Sequence, residues 1–211
     1  MAIISRAAGV VLLLVGLALL SGNARGAEPS YDDYVAQVKA GKLDIDYTAF
    51  RMAYVASPKY EPYGAARLLV IQMKKAFTAG DCPAAMAHAK EIFEVNLVQI
   101  DAHYVTAVCQ RKAGNEEEAR REHAMLMGLV KSVLGSGDGK SPETAFVVIA
   151  IEEEYSVLAT FSLTLVSQAL VNLGASAFDR MEVKKRDSDQ TVTLYFNVDR
   201  LLQSKSPQKK T

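Results

Sequence analysis

Apolar and polar positions recur with two different periods along this chain, and the change-over falls between Ser136 and Tyr155. Before that joint, apolar residues come at helical spacing between Gly, Pro and Asp punctuation; after it, short β-branched and aromatic runs predict strands. Ser30 followed by Asp33 resembles a capping pair, so Tyr31 to Ala40 is expected as a helix stopped by Gly41. Asp46 caps a second helix, Tyr47 to Ala56, ended by Ser57-Pro58. Pro62 sits in the first turn of a third, which runs to Ala79 and stops at Gly80. Asp81 caps a fourth, with Pro83 in its first turn and its end near Asn96. A fifth runs from about Asp101 to Ala113. A sixth starts at Asn115 and runs through Glu116, Glu117 and Glu118 toward Val133, its acidic residues lying where the helix dipole favours them.

Helices four to six carry a repeat. Ala79-Gly80-Asp81 recurs as Ala113-Gly114-Asn115, Ala85 as Ala119, and Ile92 as Leu126. The offset of 34 is the period of tetratricopeptide repeats, in which a Gly leaves the first helix and a small residue stands where two helices cross. That resemblance spans Tyr63 to Lys131 and lacks the large aromatics usual early in each repeat; an ordinary pair of helical hairpins is the alternative.

Beyond Gly135 the texture is that of strands. Gly137-Asp138-Gly139 is expected as a turn, Thr144 to Ile151 as a strand, and Tyr155 to Phe161 as its partner across a Glu-rich turn. Leu163 to Asn172 fits either a strand or a short helix. Phe178 to Arg186 and Thr191 to Asp199 form the clearest hairpin, with Val192, Leu194, Phe196 and Val198 on one face. The expected fold class is therefore α+β: tetratricopeptide-like hairpins over 28–135, an antiparallel β-meander over 136–200, and a disordered tail over 201–211.

Residues 1–27 read as a signal peptide, with a retained N-terminal anchor as the alternative. Arg6 is followed by the apolar run Ala7 to Leu20, too short to span a bilayer, and then by small residues, with cleavage expected between Ala24 and Ala27. This implies export to the periplasm or beyond, no membrane span after cleavage, and a mature chain of roughly 185 residues, one domain or two small ones tightly joined. The whole chain has 24 Lys and Arg against 24 Asp and Glu, and losing Arg6 and Arg25 with the leader leaves a slight acidic excess. Nothing in that balance suggests a nucleic-acid partner. An oxidising compartment also gives meaning to the pair Cys82 and Cys109. If the fourth and fifth helices pack antiparallel through a turn near Asn96 to Val98, position 82 lies level with 110 to 112, within reach of a disulfide. A fifth helix starting only at Asp101 would move the level position to about 116 and leave the gap too long for a bridge.

Several stretches together resemble one family. SGDGKSPETAFVVI, the EEEY that follows, the terminal LYFNVD and the earlier DYTAFRMAYVASPKYEPYG are similar to an uncharacterised bacterial family, the domain of unknown function DUF4919. The resemblance implies an exported bacterial protein and carries no established activity, so it supplies no catalytic residue.

The candidate chemistry is sparse. Ser136 to Ser141 lacks the strand, the helix and the first Gly of a phosphate-binding loop, and Asp138, even with Glu143, is too few oxygens for calcium. Glu152, Glu153 and Glu154 offer paired carboxylates; on a strand only Glu152 and Glu154 share a face, and a solvated turn anchored by Tyr155 is the plain reading. His88, His103 and His123 fall on three successive helices, near Asp101 and Glu122, and could form a metal or acid–base cluster. Six of the nine tyrosines crowd into 31–63, and Tyr54, Tyr60 and Tyr63 beside Pro58 and Pro62 are the candidate contact patch. The expectation is a non-catalytic binding or scaffold module of the cell envelope, without cofactor, whose partner is another envelope protein or a peptide. The rival is a hydrolytic or metal-dependent enzyme using the histidines or Glu152 to Glu154.

Overall fold

A computed structural model describes residues 28–64, 66–185 and 190–203. The expected signal peptide, the centre of the last hairpin turn and the tail beyond Gln203 lie outside the described residues.

Helices come first, and their caps are those the sequence offers. Helix α1 is Tyr31–Lys39, with Ser30 and Asp33 closing a capping box. Helix α2 is Tyr47–Ala56, capped by Asp46, which accepts from the Ala49 amide at 2.9 Å. Helix α3, Ala66–Thr78, begins later than Pro62. Helix α4 is Cys82–Val95 under an Asp81 cap, α5 is Ile100–Lys112 and α6 is Glu116–Leu134. Gly80 and Gly114 leave α3 and α5 at φ 80° and 82°, in the left-handed region that a Cβ disfavours. Ala85 and Ala119 are fully buried, where small residues let neighbouring helices approach.

The Cys82–Cys109 disulfide closes α4 onto α5, with a Cα–Cα distance of 5.4 Å. Its position lies within one turn of the level expected for antiparallel helices joined at Asn96 to Val98; the observed turn ends at Gln99, the N-cap of α5.

The second half departs from the expected strands. A 3-10 turn at Pro142–Thr144 leads to a strand β1 of only Phe146–Val147, and the next segment is helix α7, Ile151–Thr160. The expected strand Tyr155 to Phe161 and the expected Glu-rich turn are thus one helix. The physical reason is a helical period: Glu153, Glu154, Val157 and Leu158 form one buried face, and three glutamates in the first turn suit the positive end of the helix dipole. Leu163–Leu173 is strand β2, Ser176–Lys185 is β3 and Thr191–Asn197 is β4. A short helix α8, Asp199–Gln203, follows and buries Leu201, taking up the first residues of the expected tail.

The sheet order is β1-β4-β3-β2. Strands β2, β3 and β4 form an antiparallel meander, but β1 runs parallel to β4, so the sheet is mixed. Helix α7 returns the chain so that β2 runs in the direction of β1, and the two reversals at β3 and β4 give β4 that same direction. Gln168, Met181 and Leu194 share the inner face, as do Leu170, Asp179 and Phe196 one register step further. The main core joins this face to α1, α2, α6 and α7, with Phe50, Leu129, Met181 and Phe196 among its buried residues. A separate small core of Val70, Met73, Ala85, Ala89, Ile92, Ala102, Val105 and Cys109 lies between α3, α4 and α5.

Candidate functional site

Helix α7 carries the charged groups that organise the interior. Arg51 and Glu153 are both buried. Arg51 Nε donates to Glu153 Oε1 at 2.8 Å and its Nη2 to Oε2 at 2.5 Å, a two-pronged pair of planar groups. The same guanidinium donates to Val147 O at 3.0 Å and to Ser132 Oγ at 3.3 Å, while the Ile149 amide donates to Glu153 Oε2 at 2.8 Å. One arginine on α2 therefore holds α6, β1 and α7 together. Its bonds satisfy both charges, as burial requires.

The next residue is of a different kind. Glu154 is 0% exposed, and its Oε1 accepts no hydrogen bond. Burial first, and then the neighbouring Asp179 carboxylate within hydrogen-bonding reach, push its pKa up to about 9. With its pKa raised that far, Glu154 keeps its proton at pH 7, and the Asp179 carboxyl is the acidic group beside it. Gln168 Nε2 donates to Asp179 Oδ2 at 2.8 Å and lies 3.5 Å from Glu154 Oε2. Tyr155 O–H donates to Gln168 Oε1 at 3.3 Å, carrying the network to the surface.

That surface is the seam between α7 and β2. A groove of about 680 Å³ runs along it, lined by Tyr155, Leu158, Ala159, Ser162, Leu163, Thr164 and Leu165. Ser162, at φ 55°, makes the tight exit from α7 and is one of the residues lining the groove. Strand β2 is the end strand of the sheet. Its 11 residues, LTLVSQALVNL, include no charge and no proline. Val166, Leu170 and Leu173 on it are exposed, as are Tyr155 within α7 and Phe161 at its C-cap. The charged strand of the pair is the interior one, β3, with Asp179, Arg180, Glu182, Lys184 and Lys185. Edge strands are ordinarily the ones protected by charge or proline.

Other candidate residues are placed elsewhere. Tyr54 is buried against Tyr31 and Tyr60, and burial pushes its pKa up to about 12. Tyr60 is half-buried and its hydroxyl donates to Ile149 O at 2.9 Å. Tyr63 is half-buried near Asp179 and Glu154. Glu152 is half-buried beside Arg67 and Lys74, its pKa raised chiefly by burial. Asp138 accepts from Thr144 Oγ1 at 2.6 Å and from the Lys140 amide at 3.1 Å; these bonds lower its pKa to about 2 and fold the turn. His103 is buried on α5, with Nδ1 2.6 Å from Glu122 Oε2 and Nε2 2.8 Å from Leu97 O, so both ring nitrogens are engaged. His88 is half-buried on α4 and His123 exposed on α6. Among the described residues no three His, Cys, Asp or Glu are grouped to hold a metal ion.

Over residues 43–207 the sequence matches the profile of a domain of unknown function, DUF4919. The chain belongs to the DUF4919 family. The match takes in α2 to α8, and so includes Arg51, the α7 carboxylates and the whole sheet of this DUF4919 protein. No curated protein and no solved structure matches the chain.

Arg51, Gln168 and Asp179 escaped the sequence reading. Arg51 had one signal: in α2 it shares the face of Tyr47, Phe50 and Tyr54, a charge at a core position of an amphipathic helix. Asp179 likewise falls at an inward position of β3, between Ala177 and Met181.

Proposed function

We propose that this DUF4919 protein is an exported, non-catalytic binding or scaffold module of the bacterial cell envelope, and that it engages an extended segment of a protein chain along β2. The observation that carries this reading is the unprotected edge of β2, uncharged over its length and bordered by the groove along α7, whose lining mixes leucines with Tyr155, Ser162 and Thr164. Main-chain donors and acceptors on such an edge supply affinity, while the flanking groove supplies side-chain selectivity. Export rests on the leader-like order of residues 1–27.

A photoreactive side chain at Val166, compared with one at exposed Tyr104 on α5, tests the reading in intact cells. Recurrent protein adducts at 166 and none at 104 are expected. Equal labelling, or none at 166, would remove β2 as the binding surface. The enzyme reading is favoured by one feature, the fully buried Glu154 carboxyl beside Asp179, whose pKa burial pushes up to about 9. Hydrolysis of ester, phosphate or glycoside substrates that disappears in Glu154→Gln would establish it instead.

A further inference from the structure

Resting on that reading of β2 as a binding edge, we infer that the chain it takes is β2 of a second copy, paired antiparallel about a two-fold axis at Leu170. A two-fold contact requires one surface to complement itself. The sequence LTLVSQALVNL comes close: about Gln168, apolar letters oppose apolar and polar oppose polar, apart from the Ser167–Ala169 pair. The irregularity between Leu165 and Ser167 leaves Val166 without a partner in β3, however, and breaks the regular pleat there. The stretch from Ser167 to Leu173 is regular, and its centre is Leu170.

About that centre, Leu170 opposes Leu170, Gln168 opposes Asn172 and Ala169 opposes Val171. Gln168, Leu170 and Asn172 share the inner face; Ala169, Val171 and Leu173 share the outer one. These three pairs are apolar with apolar or amide with amide; at the ends of the stretch Ser167 opposes Leu173, and no charge on the strand opposes its copy. Leu170 is 55% exposed in the single chain, the most open large apolar residue of the strand. Sterics agree. The groove of each copy lies at the Leu163 end of β2, and antiparallel pairing about Leu170 sends the two α7 C-terminal ends to opposite ends of the joint. The exposed Tyr155 side chains, each bonded to its own Gln168, flank the central leucines. The joint turns two four-stranded sheets into one continuous sheet.

Sedimentation equilibrium of the exported chain over a concentration series is expected to show twice the chain mass. Leu170→Lys, at an exposed side chain, is expected to leave a folded monomer by circular dichroism; Val192→Lys, similarly exposed on the inner face but on β4, two strands from β2, is expected to keep the dimer. Because the native cysteines are bridged, Leu170→Cys adds a lone thiol. Directly opposed strand residues stand about 4.5–5.5 Å apart at Cα, within disulfide range. Leu170→Cys is therefore expected to form a covalent dimer on mild oxidation, and Val192→Cys to stay monomeric. A chain that is monomeric throughout, or a dimer indifferent to Leu170→Lys, overturns the inference. If that monomer still gives adducts at Val166 with a different protein, self-pairing fails while β2 remains a binding edge.

Discussion

In the small core between α3, α4 and α5 the buried residues are three alanines, Met73 and Cys109, with Val70, Ile92 and Val105. Around α2, α6, α7 and the sheet they are aromatic, branched and ionic, with Phe50, Phe196, Arg51 and Glu153 fully enclosed. The first region has little apolar area to withdraw from water and is closed by a covalent bond between adjacent helices. The second withdraws far more area and spends part of it on polar groups whose partners come from distant parts of the chain. The contrast shows which contacts are local and replaceable and which set the tertiary arrangement. The long-range arrangement is set by α7, where one carboxylate is paired and the next is kept neutral.

Breaking the ionic side of this comparison should have the largest effect. Arg51→Met leaves Glu153 buried without its partner, an expected loss of about 3–5 kcal/mol. Arg51→Met with Glu153→Leu removes both charges and is expected to recover most of it. Urea denaturation of both variants measures this; equal losses in single and double variants would mean that the arginine matters for shape alone.

The disulfide marks the other side. Reducing Cys82–Cys109, which closes a 27-residue separation, should destabilise by about 3–4 kcal/mol in the chain-entropy description. The distinguishing feature is where the loss appears. Amide exchange should quicken in α3 to α5 and stay slow in α6 and the sheet, because the two cores are separate clusters. Uniform acceleration would show one cooperative unit instead.

Glu154 sharpens the comparison through pH. Its pKa is raised from 4.5 to about 9 in the fold, so the folded chain holds a proton that the unfolded chain releases. The stabilising contribution is complete below about pH 4.5 and is lost as pH rises toward 9, with a slope of up to about 1.4 kcal/mol per pH unit. Glu154→Gln keeps the shape and a donor toward Asp179 without the titration. It should flatten the fall in stability between those limits, as followed by melting temperature across pH. An unchanged slope would place the titrating group elsewhere.

How far the sequence reached follows the same division. Caps at Ser30, Asp46 and Asp81 were readable because capping is decided within four residues. The bridge was readable because helix register is arithmetic once a turn is placed. Helix α7 was not: three successive glutamates look like solvated surface, and Glu153 is buried only because an arginine 102 residues earlier meets it. Its helical period, Glu154 to Leu158 and Glu153 to Val157, was present but masked by charge at inward positions. Strand β1 is too short to carry a period, and its parallel partner is set by a return of the chain no local pattern announces. Of the candidate site, the edge strand was visible as an ambiguous apolar run, while its position at the end of the sheet is a property of topology alone.

Tyr60 gives the smallest and most local test, at the boundary between the regions. It lies in the loop from α2 to α3, and its hydroxyl reaches Ile149 O just before α7 begins. Tyr60→Phe keeps the ring and its edge-on contact with Tyr54 while leaving the Ile149 carbonyl without that donor. The expected loss is about 0.5–1.5 kcal/mol, that of one part-buried hydrogen bond. Crowded tyrosines beside Pro58 and Pro62 invite the idea of a contact patch, and this variant separates the two roles. A structural hydroxyl lowers stability and leaves adduct formation at Val166 unchanged. A contact residue does the reverse, weakening capture with no change in the urea midpoint. Because the ring stays in place, neither outcome can be produced by a collapsed core.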